Sequence, residues 1–252
     1  MENNFIAPES RVLLVGASSD IGLGLIPRLA SAPISLGLHF FSSENLFPSY
    51  QEEHFPSKIQ LFQKNLDSAE ASIQLVEEFC QWAGGIDILI QLSGTITKIT
   101  SWQEITPQEW DRDLTINCSS PFFLARTAIN QMTRGGKIVL MSTASATHGG
   151  GPTSFAYGVA KAGIEAITRG LAKFAAPKNI LVNAIRPGFI KTRFHSEKAG
   201  KSSEDLQKRV KSIPLGREGK PKDVDELIFF LISSANEFIT GECIGVTGGD
   251  FL

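Results

Sequence analysis

The chain has 252 residues, of which 42% are hydrophobic and 20% are charged, and its formal net charge is −2. These values match ordinary globular proteins and exclude a disordered or fibrous chain. Because the net charge is close to zero, there is no overall electrostatic attraction to nucleic acid or to an anionic membrane, and neither is expected as a partner.

The three cysteines, Cys80, Cys118 and Cys243, are far apart and form no CxxC pair. This pattern indicates neither a disulfide framework nor a thiolate zinc site, so a reducing cytoplasmic location is expected. No spacing of His, Asp, Glu or Cys indicates metal ligands, so no metal site is predicted. The sequence predicts neither a secretion signal nor a membrane span, and the absence of GxSxG disfavours serine hydrolysis.

Short apolar runs alternate with helix-length segments along the whole chain. The runs are RVLLVG, ISLGLHFF, KIQLFQ, IDILIQLSG, KIVLMS, ILVNAI and ECIGVTGG. The segments between them carry apolar residues at the three- to four-residue spacing of amphipathic helices. Parallel strands need crossover connections and cover on both faces, so this order predicts an α/β fold with a doubly wound parallel sheet of about seven strands.

No linker or repeat divides the chain, and residues 1–252 are therefore predicted to form a single domain. The segment from about residue 194 to 214 is polar and charged. We expect it to be a mobile, partly helical insertion over the site, and an ordinary solvated surface segment is an equal alternative.

The junction of the first strand and the first helix reads VLLVGASSDIGLG and contains Gly16, Gly22 and Gly24. Backbone amides at such a helix start can bind a pyrophosphate, and small residues allow the phosphate to approach closely. Taken alone the signal is weak, because glycines can serve only the turn or tight helix packing.

The stretch YGVAK places Tyr157 and Lys161 four residues apart, on one face of a predicted helix. A tyrosine with a pKa of about 10 is a poor base at neutral pH, and lowering this pKa to about 7 or 8 requires roughly 3 to 4 kcal/mol. One ammonium about 4 Å away supplies on the order of 4 kcal/mol at an effective dielectric constant near 20. Lys161 is therefore predicted to lower the pKa of Tyr157, although an isolated YxxxK is more often a half-buried aromatic beside a solvated lysine.

The glycine turn, IDILIQLSG, YGVAK and the segment AIRPGFIKT occur in an order that resembles the short-chain dehydrogenase/reductase family, from about Arg11 to Asp250. The nearest subgroup by resemblance is that of the 3-oxoacyl-acyl-carrier-protein reductases. Two departures stand out. Asp20 replaces the middle glycine of the family's TGxxxGxG, and Gln91, Leu92 and Ser93 replace the NNA of DILVNNAG. We expect Asp20 to point away from a bound nucleotide, because a carboxylate and a pyrophosphate repel each other.

The resemblance implies a catalytic set of four residues. Tyr157 is the general acid/base, and Lys161 lowers its pKa and positions the nicotinamide ribose. Thr143 aligns with the serine that hydrogen-bonds the substrate oxygen, with Ser142 and Ser145 as alternatives. Asn117 aligns with the asparagine that holds a water in a proton relay, and a buried amide bonded to backbone is the alternative.

The resemblance also implies which residues line a dinucleotide site. They are Gly16, Ser18, Ser19, Asp20, Ile21, Ser42, Asn65, Leu66, Ser93, Gly94, Tyr157, Lys161, Pro187, Gly188, Ile190 and Thr192. Phe40 stands where members specific for NAD usually carry an aspartate that binds the ribose 2′-hydroxyl, so NADP(H) is favoured over NAD(H). Ser42 and Ser43 can donate to a 2′-phosphate, but the arginine familiar at this place is missing.

The function expected from this resemblance is hydride transfer between NADP(H) and a carbonyl or secondary alcohol, on a small molecule or an acyl-carrier-borne substrate. His148 is a candidate substrate contact by proximity. A homotetramer is expected by resemblance. Two alternatives remain: an NAD-dependent sugar or polyol dehydrogenase, and a non-catalytic nucleotide-binding regulator or scaffold with the same fold.

Overall fold

All seven predicted strands are present in the computed structural model, which describes residues 6–43, 46–47, 55–133, 135–194 and 203–250. The strands are β1 Arg11–Val15, β2 Ser35–Phe40, β3 Lys58–Gln63, β4 Ile88–Gln91, β5 Gly136–Met141, β6 Ile180–Pro187 and β7 Cys243–Val246. They form one sheet in the order β3-β2-β1-β4-β5-β6-β7, and every neighbouring pair is parallel. The predicted doubly wound fold is confirmed.

The helices cross over between the strands. Within the described ranges they are α1 Asp20–Ala30, α2 Ala69–Ala83, α3 Pro107–Leu114, α4 Ser120–Gln131, α5 Phe155–Ala175, α6 Ser203–Lys211 and α7 Pro221–Ile232. Several boundaries have local causes. Ser19, Ser68 and Thr106 cap the starts of α1, α2 and α3 with their side-chain oxygens, and Gly84 ends α2 in the left-handed conformation.

The two faces of the sheet pack against different helices. Along β1 the fully buried side chains alternate: Val12 and Leu14 belong to the apolar cluster with α1 and α7, whereas Leu13 and Val15 belong to the cluster with α2, α4 and α5. Because both faces are covered, β1 is apolar at nearly every position. This explains why its sequence is a continuous hydrophobic run rather than an alternating one.

The switch point of the sheet lies between β1 and β4, because β2 and β3 follow β1 on one side and β5, β6 and β7 follow β4 on the other. In such sheets ligands bind at the switch point, beyond the carboxyl ends of the strands. A cavity of about 720 Å³ lies at this edge. It is lined by the segments that follow the strands, so the fold itself brings the predicted motifs together.

Of the segment predicted to cover the site, Ser203–Lys211 forms helix α6, and residues 195–202 lie outside the described residues. The predicted partial helicity is therefore confirmed, and the predicted mobility stays a prediction. Among the helices of the described ranges, none has the length and apolar character needed to cross a membrane.

Candidate active site

The cavity is lined by all sixteen residues predicted to bind a dinucleotide and by Thr143. Asn117 is the one predicted site residue that does not line it; its side chain is fully buried behind the wall. Motifs that are up to about 175 residues apart in the sequence thus share one concave surface.

The glycine turn after β1 has the shape that a phosphate site requires. Gly16 has φ +82°, and a Cβ at this position would lie 2.7 Å from the backbone nitrogen of Ser93, so both its conformation and its surroundings require glycine. Ser19 caps α1 by accepting a hydrogen bond from the Gly22 N–H at 3.0 Å. The N-terminus of α1 begins at this wall, and it suits an anionic group such as a pyrophosphate.

Asp20 also lines the cavity, but the helix cap is formed by Ser19. The carboxylate of Asp20 accepts hydrogen bonds from the backbone N–H and the Nε of Arg193, each at 2.6 Å. A cation therefore accompanies the acid that replaces the family's glycine, and sequence reasoning missed it because the two residues are distant in the chain.

The second departure, QLS at residues 91–93, also has a local partner. The side-chain amide of Gln91 donates to the backbone oxygen of Ser93 at 2.8 Å and to its hydroxyl at 2.9 Å. Gln91 is fully buried at the end of β4. Its side chain therefore holds in place the turn that carries Ser93 and Gly94 into the cavity wall.

The end of the cavity beyond β2 and β3 is shaped by His39, which sequence reasoning did not single out. Its Nδ1 accepts the Gly16 N–H at 3.2 Å, and its Nε2 lies 2.9 Å from the Lys64 carbonyl oxygen. Since the carbonyl can only accept, Nε2 carries the proton and the ring is neutral. Burial is the main reason that the pKa of His39 is lowered to about 4. This ring ties the glycine turn to the end of β3.

At the same end, Phe40 is buried against Phe47, with ring centroids 5.4 Å apart. None of the described residues that line this end carries a carboxylate. Lys64 also lines it, and the Nζ of Lys64 lies 2.9 Å from the carboxylate of Glu78. Lys64 directly precedes Asn65 in KNLDS, but the sequence alone does not show that Lys64 lines the cavity. Asn65 donates to Asp67 at 2.6 Å.

Tyr157 and Lys161 lie one turn apart on α5, and both line the cavity. The Nζ of Lys161 is 5.7 Å from the centre of the Tyr157 ring and donates to the Met141 carbonyl oxygen at 2.8 Å. Lys161 is 1% exposed, so its amine does not face open water. The ring of Tyr157 packs at 5.9 Å against that of Phe194.

The predicted lowering of the Tyr157 pKa by Lys161 is wrong for the protein as it stands. Although the ring is only partly covered, the protein around the phenol raises its pKa, and the carboxylate of Asp113 raises it further. Burial also lowers the pKa of Lys161 to about 8. The sequence estimate counted the attraction between the two groups but omitted the cost of removing both from water.

The three candidate hydroxyls after β5 have different surroundings. Ser142 is 2% exposed and donates to the Lys161 carbonyl oxygen at 3.0 Å and to Glu165 at 3.3 Å. All three residues line the cavity, but the hydroxyl of Ser142 is already engaged by these two acceptors, whereas the hydroxyls of Thr143 and Ser145 lie 3.2 Å from each other. Thr143 and Ser145 are therefore the better candidates for a substrate contact.

Asn117 lies in a π-helical turn, Thr115–Ser119, between α3 and α4. Its Oδ1 accepts the Thr95 N–H at 3.0 Å, and its Nδ2 donates to the carbonyl oxygens of Thr95 and Asp113. This is the buried amide bonded to backbone that was the alternative to a relay residue. A single π-helical turn inside a helix often marks a functional site. This turn lies beside the Lys161 amine, because a Cβ placed on Gly94 would be 2.9 Å from the Asn117 Oδ1 and 3.2 Å from the Lys161 Nζ.

The cavity lining also combines apolar and basic side chains. The apolar ones include Ile96, Ile99, Phe189 and Phe194, and the basic ones include Arg112, His148 and Arg209. Arg209 of α6 pairs with Asp250 through both of its terminal nitrogens. In the described part of the chain, no group of three or more His, Cys, Asp or Glu side chains could hold a metal ion.

This geometry agrees with comparisons against known proteins. A family model described as Enoyl-(Acyl carrier protein) reductase matches residues 16–250. The chain belongs to the short-chain dehydrogenase/reductase family. It is accordingly an NAD(P)-dependent oxidoreductase of carbonyl or alcohol groups.

Two curated relatives of this family member cover nearly its full length. The 3-oxoacyl-acyl-carrier-protein reductase of Aquifex aeolicus is 34% identical over 244 residues, which are 95% of this chain and 96% of the relative. A hydroxynaphthalene reductase-like protein of Metarhizium anisopliae is 31% identical over 249 residues, or 94% and 93% of the two chains. A crystal structure from Sinorhizobium meliloti, described as a short-chain alcohol dehydrogenase, has a TM-score of 0.88 at 30% identity and covers 97% of both chains.

Proposed function

We propose that this protein reduces a carbonyl group to a secondary alcohol with NADPH, as a single catalytic domain in which the segment from about 194 to 214 contacts the substrate. The observation that carries the proposal is that Tyr157 and Lys161 line the same cavity as the glycine turn. A proton donor and a phosphate-binding turn on one surface are what a nicotinamide-dependent reductase requires.

The residues fit a dinucleotide on structural grounds. The Gly16 turn cannot accommodate a side chain, the start of α1 lines the cavity, and the wall continues past Ser42 and Asn65. A bound nicotinamide supplies the hydride. Ser18, Ser19 and Ile21 would hold the pyrophosphate, and Gly188, Ile190 and Thr192 would hold the nicotinamide half.

Tyr157 is proposed to give its hydroxyl proton to the substrate oxygen as that oxygen gains negative charge. A phenol whose pKa is not lowered is protonated at neutral pH, which is the form that a reduction needs. Thr143 is proposed to donate a hydrogen bond to the same oxygen. Lys161, fixed by the Met141 carbonyl, is proposed to stabilise the phenolate that remains and to bind the nicotinamide ribose. Asn117 is proposed to position this lysine rather than to contact the substrate.

NADP(H) is proposed over NAD(H) because the described cavity wall beyond β2 and β3 has no carboxylate for a ribose 2′-hydroxyl and includes Lys64 and Ser42. A 2′-phosphate gains from a nearby ammonium and from hydroxyl donors. The apolar side chains of the cavity lining, among them Phe194 against Tyr157, favour a substrate with an apolar body. The two curated relatives, named as reductases of an acyl-carrier-borne and a naphthalene-type substrate, support this class. Tetrameric assembly and a cytoplasmic location stay predictions.

The test is a panel of carbonyl compounds assayed with NADPH and with NADH, scored by the loss of dihydronicotinamide absorbance. Tyr157→Phe keeps the ring and removes the proton, so kcat should fall by about 100-fold or more while NADPH still binds. Lys161→Met should lower kcat similarly, and Lys173→Met, which removes an exposed lysine from the same helix, should leave it unchanged.

Equal rates for the wild type and Tyr157→Phe would remove the tyrosine from the mechanism. NADPH binding with no turnover of any carbonyl or alcohol would favour the regulator or scaffold. A higher kcat/KM with NADH would favour the NAD-dependent alternative.

A further inference from the structure

An ion pair joins two walls of the cofactor cavity. Asp20 is the first residue of α1, and Arg193 lies in the segment after β6. The backbone N–H and the Nε of Arg193 each donate to Asp20 at 2.6 Å, and a terminal nitrogen donates to the Ser18 carbonyl oxygen at 2.9 Å. Three hydrogen bonds thus connect residues that are 173 or 175 positions apart in the chain.

The position of this pair closes a ring of protein. Strands β1, β4, β5 and β6 are consecutive in the sheet, and the pair connects the turn after β1 with the segment after β6. The ring therefore surrounds the part of the cavity above the ends of β4 and β5. A dinucleotide that extends from the β2–β3 end to Tyr157 must pass the glycine turn, and so it must pass this ring.

The pair is not required for the cap of α1. Ser19 already caps α1, and an acid this close to a pyrophosphate would weaken binding if it were not neutralised. The guanidinium and backbone N–H hold the carboxylate at two points, a geometry that fixes the orientation of both segments.

We infer that Asp20 and Arg193 form a clasp that must open for the nucleotide to enter or leave, and that this clasp sets the rate of nucleotide exchange. The inference rests on the proposed function, since it requires that the cavity bind NADP(H). A clasp that closes over the cavity in both states slows association and dissociation together. Its removal should therefore change both rate constants in the same direction and change the equilibrium affinity much less.

The experiment measures NADPH exchange by stopped flow, without substrate. Dissociation is followed by the loss of dihydronicotinamide fluorescence after a chase with excess NADP⁺, and association by mixing at several concentrations. Asp20→Ala should raise the dissociation rate by about tenfold, with a parallel rise in the association rate and less than about a threefold change in Kd. Arg193→Ala should also raise both rate constants, but its Kd should weaken further because the Asp20 carboxylate is left without its cation. The double variant should be no faster than either single variant, because one clasp is lost in all three.

A matched control is Arg217→Ala. Arg217 forms a similarly exposed pair with Asp223 at 2.7 Å, but neither residue lines the cavity. Its loss should leave NADPH exchange unchanged. Salt provides a test without mutation: the clasp is exposed enough to be screened, so NADPH exchange in the wild type should speed up with ionic strength more steeply than in the double variant.

Three results would overturn the clasp. Exchange rates that the variants do not change would overturn the clasp. A faster dissociation with an equal loss of affinity and an unchanged association rate would also overturn it, because that pattern belongs to an ordinary contact with the bound nucleotide. Failure of the wild type to bind NADPH or NADH would overturn the proposed function, and the clasp with it.

Discussion

The buried carboxylate of Asp225 gives the clearest prediction about stability. Asp225 is on α7 and is 7% exposed, and its Oδ2 lies 2.6 Å from the place where a Cβ on Gly24 of α1 would be. Its Oδ1 has no hydrogen-bond partner among the described residues. Burial, and to a smaller extent the charge of Glu226, raises the pKa of Asp225 to about 7. The absence of a side chain at Gly24 is what allows the carboxyl group to fit between the two helices.

The size and sign of the pH effect on folding stability follow from the linkage between proton binding by Asp225 and folding. A pKa that rises from 3.8 in the unfolded chain to about 7 in the folded protein means that the folded state holds the proton more tightly. This contribution to stability is fully present below pH 3.8 and is lost as the pH rises through about 7. The whole change corresponds to about 4 kcal/mol, of which about 3 kcal/mol falls between about pH 5 and pH 8. Both figures are upper values, because water that reaches the carboxylate reduces them.

The measurement is urea unfolding of the wild type and Asp225→Asn at about pH 5 and about pH 8, at one protein concentration. The amide does not ionise, so the variant should gain up to about 3 kcal/mol in unfolding free energy relative to the wild type between the two pH values. Asp223→Asn on the same helix is the control. Arg217 and backbone hydrogen bonding lower the pKa of Asp223 to about 2, so its contribution is present above pH 3.8 and is lost only as the pH falls toward 2. That variant should lose the same stability at both pH values. Parallel pH dependences for the wild type and Asp225→Asn would refute the reasoning.

Two further predictions concern the site. His39→Phe removes the acceptor for the Gly16 N–H and the donor to the Lys64 carbonyl, so urea unfolding near neutral pH should show a loss of about 2 to 4 kcal/mol. Because the pKa of His39 is lowered from 6.5 to about 4, its stabilisation is present above pH 6.5 and is lost as the pH falls toward 4; a variant with the same acid sensitivity as the wild type would contradict this. Thr143→Ala should lower kcat for carbonyl reduction by about 10- to 100-fold with little change in the NADPH Kd, and Ser145→Ala by less than about threefold. The opposite ranking in steady-state assays would assign the substrate oxygen contact to Ser145.

The strands and the position of the site could be predicted because their signals are local. An apolar run such as RVLLV is typical of a strand that is covered on both faces, as in a parallel sheet, and a glycine after it marks the turn at the ligand edge. Tyr157 and Lys161 were found because four residues along a helix always bring two side chains to one face. Residues of this kind need no knowledge of the rest of the fold.

The features that were missed depend on contacts between distant segments. His39 bridges Gly16 and Lys64 only after three strands are aligned, and the notch that holds Asp225 exists only where α1 meets α7. The pKa of Tyr157 was wrongly predicted for a related reason. Coulomb attraction between neighbours can be estimated from spacing, but the cost of burial requires the surrounding protein to be in place.

The two departures from the family motifs bear on whether the chain kept its chemistry. A polar residue that is newly introduced into a buried position lowers stability unless it has a hydrogen-bond partner. In a site that no longer functions, we expect such residues to accumulate without partners. Here the carboxylate of Asp20 is held by Arg193, and the amide nitrogen of Gln91 holds the turn that carries Ser93, but the buried Oε1 of Gln91 has no hydrogen-bond partner among the described residues. The charge of Asp20 is therefore matched by a cation, whereas Gln91 is matched only at its amide nitrogen. The Asp20–Arg193 pair favours a working nucleotide site over a relic of one. The cofactor exchange rates are the property in which this member should differ most from relatives with glycine at the position of Asp20.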